Sequence, residues 1–376
     1  MKIAALTSVS GPYIVARYSA LAIEFPQHKL YLLELGSVSA IYQWRSNFTD
    51  LPYQSIVLSE LPAEEQSLTQ LWSGLSKALA QIQPDVLVIC GYGVPGMLPG
   101  LLWSLWHRKP AVLLSDTKAD DAPRSSWKEA LKGTIVRSYR AALVAGELHK
   151  QYLISLGMPE AAIWLGYDVV DNQIFHPDRI RHLPRPLGLE RPYFLSIARF
   201  VPKKNLMTLI SAYAAYRGKA GDRAWDLVLC GEGKLRPQIE ALITQAQLES
   251  HVRLPGFLQQ EDLLPYFAHA GCFVHASIQE EWGLVVNEAM AAGLPILLSE
   301  RCGCFKELTI EGVNGFGFDP ENISQLTELM LKISSGDLDL VSIGQAALAQ
   351  IQKFSPDLFA TGLMQAIDHA TRSKQT

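Results

Sequence analysis

The sequence is poor in charge, in cysteine and in long apolar runs, and each shortage closes off a class of protein. Only 19% of its 376 residues are charged against 48% hydrophobic, so a large core is available and global disorder is excluded. Basic residues do not exceed acidic ones: 33 stand against 37, for a net charge of −4. A dedicated nucleic-acid binder would carry a basic excess. The five cysteines, Cys90, Cys230, Cys272, Cys302 and Cys304, are odd in number and sit mostly in apolar runs. They read as buried thiols of a reducing compartment, without a disulfide framework. Only Cys302 and Cys304 lie close together, and no nearby histidine or second cysteine pair completes a zinc set.

Long hydrophobic runs are missing too. The N-terminal stretch is broken by Ser8, Ser10, Gly11 and Pro12, so it lacks the continuous apolar centre of an export signal. The longest apolar stretch, 96–106, contains Pro99 and Ser104 and stops at His107, Arg108 and Lys109. It falls short of the ~20 residues a bilayer span needs. The expectation is a cytoplasmic chain, soluble or peripheral to a membrane. No Gly-x-Ser-x-Gly elbow occurs, so an acyl-transfer hydrolase has no nucleophile to point to.

What is present is a rhythm of short β-rich runs and longer helical patterns. Strands are predicted at 2–6, 29–33, 55–58, 85–90, 111–114 and 141–144, with helices at 15–24, 68–81, 101–106, 127–139 and 148–156. Several strands are continuous apolar runs, as in a parallel sheet covered on both faces. Residues 176–193 hold four prolines and four arginines, a composition that continues neither element type. The rhythm then restarts, with strands at 193–197, 227–230, 272–276 and 295–298 and helices at 206–214, 235–246 and 284–292. A last helix, 355–371, opens on Ser355 as cap with Pro356 at its first position. The fold class is α/β: two doubly wound, Rossmann-like domains, 1–183 and 184–355, facing each other across a cleft. Residues 356–376 form a helix packing back on the first domain, and ligands belong at the carboxyl ends of the strands.

Three motifs point to other chemistry. Gly91, Gly93 and Gly96 fit G-x-G-x-x-G after a strand, with Asp116 about 20 residues on, as in a dinucleotide fingerprint of an NAD-dependent oxidoreductase. Pro95 and Pro99 would disrupt the helix that should follow, and about three strands precede the motif where the fingerprint normally opens its domain. Asp337 and Asp339 could pass for a metal-chelating pair, but they precede a helical run and read better as caps. Gly231-Glu232-Gly233-Lys234 lacks the full spacing of a phosphate loop and reads as a strand-to-helix turn lining a pocket.

The informative segment is 277–307, SIQEEWGLVVNEAMAAGLPILLSERCGCFKE. Gly283 lets the backbone pass close to a ligand, and the amides of Leu284, Val285 and Val286 point out of a helix N-terminus, a ready anion site. Glu288 lies one turn into an otherwise apolar helix. A buried unpaired carboxylate is costly, so it must meet hydroxyls or a cation. Glu280 precedes the turn and faces the same cleft.

Glu280-x7-Glu288 within EEWGLVVNEAMAAGLP resembles the signature of the retaining family 4 glycosyltransferases, group 1, of the GT-B fold, usually E-G-F-G-L-x-x-x-E-A-M-A-x-G-x-P. Here Trp282 replaces phenylalanine and Glu281 replaces the first glycine. A second block, SIARFVPKKN at 196–205, resembles the family's G-R-L-x-x-x-K-G. It implies that Arg199 and Lys204 are the cations on the donor diphosphate, with Asn205 in place of a common glycine. The segments 227–233, 252–257 and 312–316 agree, and 166–175 resembles the close of the first domain. The match is dense in the second domain and loose in the first. Gly11 stands alone where many members carry a glycine pair, and Ser115-Asp116-Thr117 stands where many have a histidine.

The resemblance implies a retaining, metal-independent glycosyltransferase of polysaccharide biosynthesis. The first domain would bind the acceptor and the second the nucleotide-sugar donor. Arg199 and Lys204 would compensate the leaving diphosphate with the helix amides. Glu288 would take the ribose, Glu280 the outer hydroxyls of the sugar, and Asp116 a place near the anomeric carbon. Gly283, Leu284, Val285, Gly231 and Gly11 complete the donor-binding set. No cofactor or metal is expected beyond the donor itself, and the acceptor is a saccharide or lipid-linked saccharide. A sugar-nucleotide epimerase or the oxidoreductase with Gly91 to Gly96 is the alternative. Residues 124–150, with six basic residues against Glu129 and Glu147 and with Trp103, Trp106 and Trp127 near in sequence, suggest peripheral contact with an anionic membrane.

Overall fold

The computed structural model describes residues 1–38, 48–94, 96–121 and 124–372; Pro95 and the last four residues of the expected terminal helix lie outside these. The chain divides into two units, Met1–Asp171 with Ser355–Thr376, and Asn172–Phe354.

The first unit is built on a seven-stranded sheet. Its strands are β1 (Lys2–Thr7), β2 (Lys29–Glu34), β3 (Gln54–Val57), β4 (Val86–Cys90), β5 (Ala111–Ser115), β6 (Ala141–Val144) and β7 (Ile163–Leu165). Every pairing is parallel, in the order β3-β2-β1-β4-β5-β6-β7. The apolar runs become the core: Ala4, Leu6, Leu87, Ile89 and Leu113 are fully buried, as helices on both faces of a parallel sheet require.

One covering element comes from the far end of the sequence. Helix Pro356–Arg372 buries Phe359, Ala360, Leu363 and Ile367 in this unit, and Phe359 meets the ring of Tyr18 edge-on at 5.5 Å. A side chain at Gly362 would come within 2.8 Å of Leu143 and 2.9 Å of the Leu165 carbonyl, so glycine sets how closely the helix approaches β6 and β7. Beside it, buried Arg17 donates to Asp168 Oδ1 and the Val169 carbonyl, both at 3.0 Å, and lies 4.8 Å over the Tyr167 ring.

Helix Met97–Trp106 begins four residues before the expected start. Pro99 falls in its first turn, where the missing N–H has no intrahelical acceptor, so the proline is accommodated and does not break the helix.

The second unit has six parallel strands: β8 (Tyr193–Ile197), β9 (Asp226–Cys230), β10 (Val252–Gly256), β11 (Cys272–His275), β12 (Ile296–Ser299) and β13 (Gly315–Phe318), ordered β10-β9-β8-β11-β12-β13. Sequence reading missed β7, β10 and β13. The division between units also falls at 171/172, not at 183/184. The reason is packing: Asn172 donates to the Ile351 carbonyl at 2.9 Å, and Phe175 meets Phe267 edge-on at 5.5 Å. The proline- and arginine-rich stretch therefore lies inside the second unit.

All five cysteines are free thiols. Burial pushes the Cys90 thiol up to about 11 and those of Cys230, Cys272 and Cys304 well above their ordinary value, which disfavours the reactive thiolate.

Candidate active site

In the second sheet the strand order reverses between β8 and β11. Ligands of open α/β sheets bind in the crevice outside the strand ends at such a point. The chain places a cation loop after β8 and an acid loop after β11, so Lys204 and Glu280, 76 residues apart, meet there.

The cation loop is held by its neighbours. Its backbone is clamped to the turn after β9: the Ala198 amide donates to the Cys230 carbonyl at 3.0 Å and the Phe200 amide to the Glu232 carbonyl at 2.7 Å. Gly231 permits this approach. Its φ is +138, and a Cβ there would sit 1.9 Å from the Ala198 carbonyl oxygen. Gly231 thus shapes the loop that carries exposed Arg199. Asn205 adopts the left-handed conformation, φ 57 and ψ 32. Asparagine tolerates that region better than most side chains, and its amide also donates to the carbonyls of Ala276 at 3.1 Å and Pro320 at 2.8 Å. Asparagine in place of a common glycine therefore keeps the turn and adds a tie to the acid loop.

Glu280 is buried, 7% exposed, and three donors converge on its Oε2. They are Lys204 Nζ, His275 Nε2 at 2.9 Å and Ser277 Oγ at 3.1 Å. Burial alone would push this carboxyl up, but the His275 hydrogen bond and the Lys204 charge outweigh it and hold it well below the ordinary carboxylate range. An ionised carboxylate only accepts, so the His275 proton is assigned to Nε2. Burial in turn pushes the His275 imidazole down, towards its neutral form. One residue along, Lys203 donates to both oxygens of Glu281 at 3.0 and 2.8 Å. Two adjacent lysines thus meet two adjacent glutamates. The backbone repeats the tie, with the Ile278 amide donating to the Lys203 carbonyl at 2.9 Å.

Beyond the acids, Gly283 turns the chain at φ +106 into helix Leu284–Ala291. The expectation of three outward amides is corrected here. The Val286 amide donates back to the Gly283 carbonyl at 2.8 Å, because the first turn tightens on itself. Leu284 and Val285, the first two helical residues, have no helical carbonyl behind them to bond. Glu288 is 3% exposed on a helix buried from Val286 to Ala291. The Trp282 indole donates to buried Asn287 at 3.0 Å, locking the turn to the helix. Cys302 and Cys304 serve the same loop from behind: the Gly303 amide donates to the Glu280 carbonyl and the Cys304 amide to that of Trp282.

The structure thus brings Lys204, Glu280 and Gly283 together, with Arg199 on the same loop as Lys204. Sequence reasoning missed His275 and Ser277. The available signal was a histidine ending an apolar strand two residues before a serine, three ahead of the acid.

In the first unit, Gly11 and Asp116 stand at the carboxyl ends of β1 and β5. Gly11 is extended, φ −120, an angle open to any residue. A buried acid that sequence reasoning did not single out, Glu34, organises this edge. It accepts from the Ser10 amide at 2.8 Å and from Ser55 Oγ at 2.6 Å. Asp116 is exposed, and its charge reaches half-buried Cys90 and buried Tyr167. Gly91, at φ +78, follows β4, the fourth strand of its sheet in chain order. Asp339 caps helix Leu340–Ile351, accepting from Ser342 N at 3.1 Å and Oγ at 2.6 Å. In the stretch 124–150, Arg124 and Lys132 are drawn to Glu129, Lys150 to Glu160, and Trp103 is buried.

Two Rossmann-like units, with a cation loop and an acid loop meeting at the crossover of the second, define the GT-B fold. Residues 182–350 match the family model of the glycosyl transferases group 1. It is 30% identical over 217 residues to the amylovoran biosynthesis glycosyltransferase AmsK of Erwinia amylovora, covering 56% of this chain and 51% of that one. It is 24% identical over 186 residues to the alpha-monoglucosyldiacylglycerol synthase of Acholeplasma laidlawii, covering 49% and 45%. The chain spans about half the length of these curated relatives. Among solved structures, HepE of Anabaena in complex with UDP and glucose aligns with a TM-score of 0.77 at 19% identity, covering 98% of this chain and 99% of that one. Sucrose-phosphate synthase of Thermosynechococcus elongatus aligns at 0.76 and 18%, covering 99% and 100%.

Proposed function

We propose that the chain is a retaining glycosyltransferase that moves a sugar from a nucleotide-diphosphate sugar to a hydroxyl of a saccharide or lipid-linked saccharide. The observation that carries this reading is the meeting of Lys204 and Glu280 at the β8/β11 crossover, beside the glycine-led helix N-terminus. Breaking a sugar–phosphate bond leaves negative charge on the diphosphate. Arg199, Lys204 and the Leu284 and Val285 amides compensate it without a metal. Glu288 accepts from the ribose hydroxyls and Glu280 from those of the sugar. Gly283, Gly231 and Gly11 let backbone approach the donor, and Asp116 takes a place near the anomeric carbon. The names of the relatives, which include a serotype-specific mannosyltransferase, an O-antigen chain mannosyltransferase and an alpha-monoglucosyldiacylglycerol synthase, favour a saccharide or lipid-linked acceptor. Attack from the face the diphosphate leaves would keep the anomeric configuration.

The test starts with binding. A thermal-shift panel of nucleoside diphosphates and sugar nucleotides should single out one base, because a ligand of the folded state stabilises it by RT ln(1 + [L]/Kd). With that donor, Lys204→Ala should slow transfer roughly 100- to 1000-fold, about 2.7–4 kcal/mol of transition-state stabilisation, and it should also lower the melting temperature, because it takes one partner from the buried Glu280 carboxylate. A panel with no responding sugar nucleotide would remove the proposal.

A further inference from the structure

We propose that the first unit docks on an anionic lipid surface through the outer face of helices Met97–Trp106 and Ser126–Val136. The first of these helices buries Met97, Leu101, Trp103 and Ser104. It also exposes Leu98, Leu102, Leu105 and Trp106, the last at 83%. Those four positions follow the helical period, so they form a second apolar stripe on a helix that already has one. The next helix exposes Trp127 at 67% and Leu131 at 56%, one turn apart. The two helices follow the neighbouring strands β4 and β5. Right-handed crossovers lay successive helices of this kind side by side on one face of the sheet.

Charge selects the occupant. No aspartate or glutamate occurs between Asp85 and Asp116, so the Leu98–Trp106 stripe has no acid in its own segment. Exposed Arg108 follows the stripe at the end where β5 begins. Arg140 is exposed at the same edge, its amide donating to the Ala111 carbonyl at 2.9 Å. Lys128 lies 5.6 Å from the Trp127 ring. The acid of the second helix, Glu129, is already engaged by Lys132 at 2.9 Å and by the Tyr152 hydroxyl at 2.7 Å. An apolar face with tryptophans and a basic rim matches an interface of acyl chains and anionic headgroups. A second copy of the same face would bring like charges together. Most cations of 124–150 are engaged by internal partners, so within that stretch the contact rests on Trp127, Leu131, Lys128 and Arg140. The inference stands on this surface alone and is independent of what the chain transfers.

The experiment is co-sedimentation of the full chain with vesicles of phosphatidylcholine alone and of phosphatidylcholine with phosphatidylglycerol. Sedimentation velocity without lipid runs beside it. Binding should require the anionic lipid and fall as salt rises. The double variant Leu102→Ser, Trp106→Ser should lose it at unchanged melting temperature, since both side chains are exposed. Arg108→Glu with Arg140→Glu should weaken it more than about tenfold, at roughly fivefold per cation removed. No sedimentation with either vesicle, or binding that ignores both pairs of substitutions, overturns the proposal. A lipid-free dimer abolished by the Leu102, Trp106 variant would assign the face to a second copy instead.

Discussion

Glu280 and Glu288 are both buried glutamates of one motif, yet their surroundings differ. Glu280 is surrounded by donors and is the counter-ion of Lys204; Glu288 lies inside an apolar helix. The two should separate in a binding assay that needs no acceptor. Glu288→Gln turns a double acceptor into a mixed donor and acceptor. It should weaken the nucleoside diphosphate and the sugar nucleotide alike, because the ribose is common to both. Glu280→Gln should weaken only the sugar nucleotide. Free diphosphate should bind as before or more tightly, since Lys204 loses a competing anion. Equal losses of both ligands in both variants would show that the acids share one structural role. His275 adds a pH signature. Its folded form holds protons less readily than an ordinary imidazole, so the unfolded chain protonates first as pH falls through about 6.5. Stability from this group is therefore present above that pH and is lost below it. Glu280, held low, adds a loss in the same direction below its ordinary range. Denaturant titrations at pH 8 and pH 5.5 should show a drop in the natural chain and a smaller one in His275→Gln. An equal drop in both would place the titrating group elsewhere.

Among elements, the three strands that escaped sequence reading are all sheet edges: β7 in the first unit, β10 and β13 in the second. β7 is three residues long, β10 contains Pro255, and β13 reads Gly-Phe-Gly-Phe. Edge strands tolerate proline and glycine because one side of the ladder is unpaired, and this blurs the pattern that marks interior strands. Glycine at 231 is a claim about loops of the same kind. Gly231→Ala drives a Cβ into the Ala198 carbonyl, and backbone cannot give way as a flexible side chain can. The expected cost is about 1–3 kcal/mol by denaturation, with a loss of donor affinity because the Arg199 loop must move. Loss of affinity with stability intact would instead assign Gly231 to direct contact with the donor.

At the scale of the whole molecule, the proposed transfer requires charge to neutralise the departing diphosphate. Among the described residues no cluster of three His, Cys, Asp or Glu is placed to hold a metal ion, and Asp339 is engaged as a helix cap. Transfer, or slow hydrolysis of the donor, should survive excess chelator. Complete loss on chelation, restored by magnesium or manganese, would reassign the charge compensation to a metal. No described helix is long and apolar enough to cross a membrane.

The sequence by itself determined the two α/β units, the interior strands and the two blocks of the site. Each is a local statement: an apolar run, a glycine before a helix, or acids and cations at fixed spacing. Only the tertiary structure decided what those residues do to one another. That Lys204 neutralises Glu280, 76 residues away in the chain, on the same oxygen that His275 and Ser277 hold, follows from the pairing of β8 with β11. No periodicity records such a pairing. The terminal helix packs on a sheet whose strands end near residue 165 for the same reason. Its apolar face specifies that it must be covered, and the shape of the first unit, with Gly362 opposite Leu143, specifies by what.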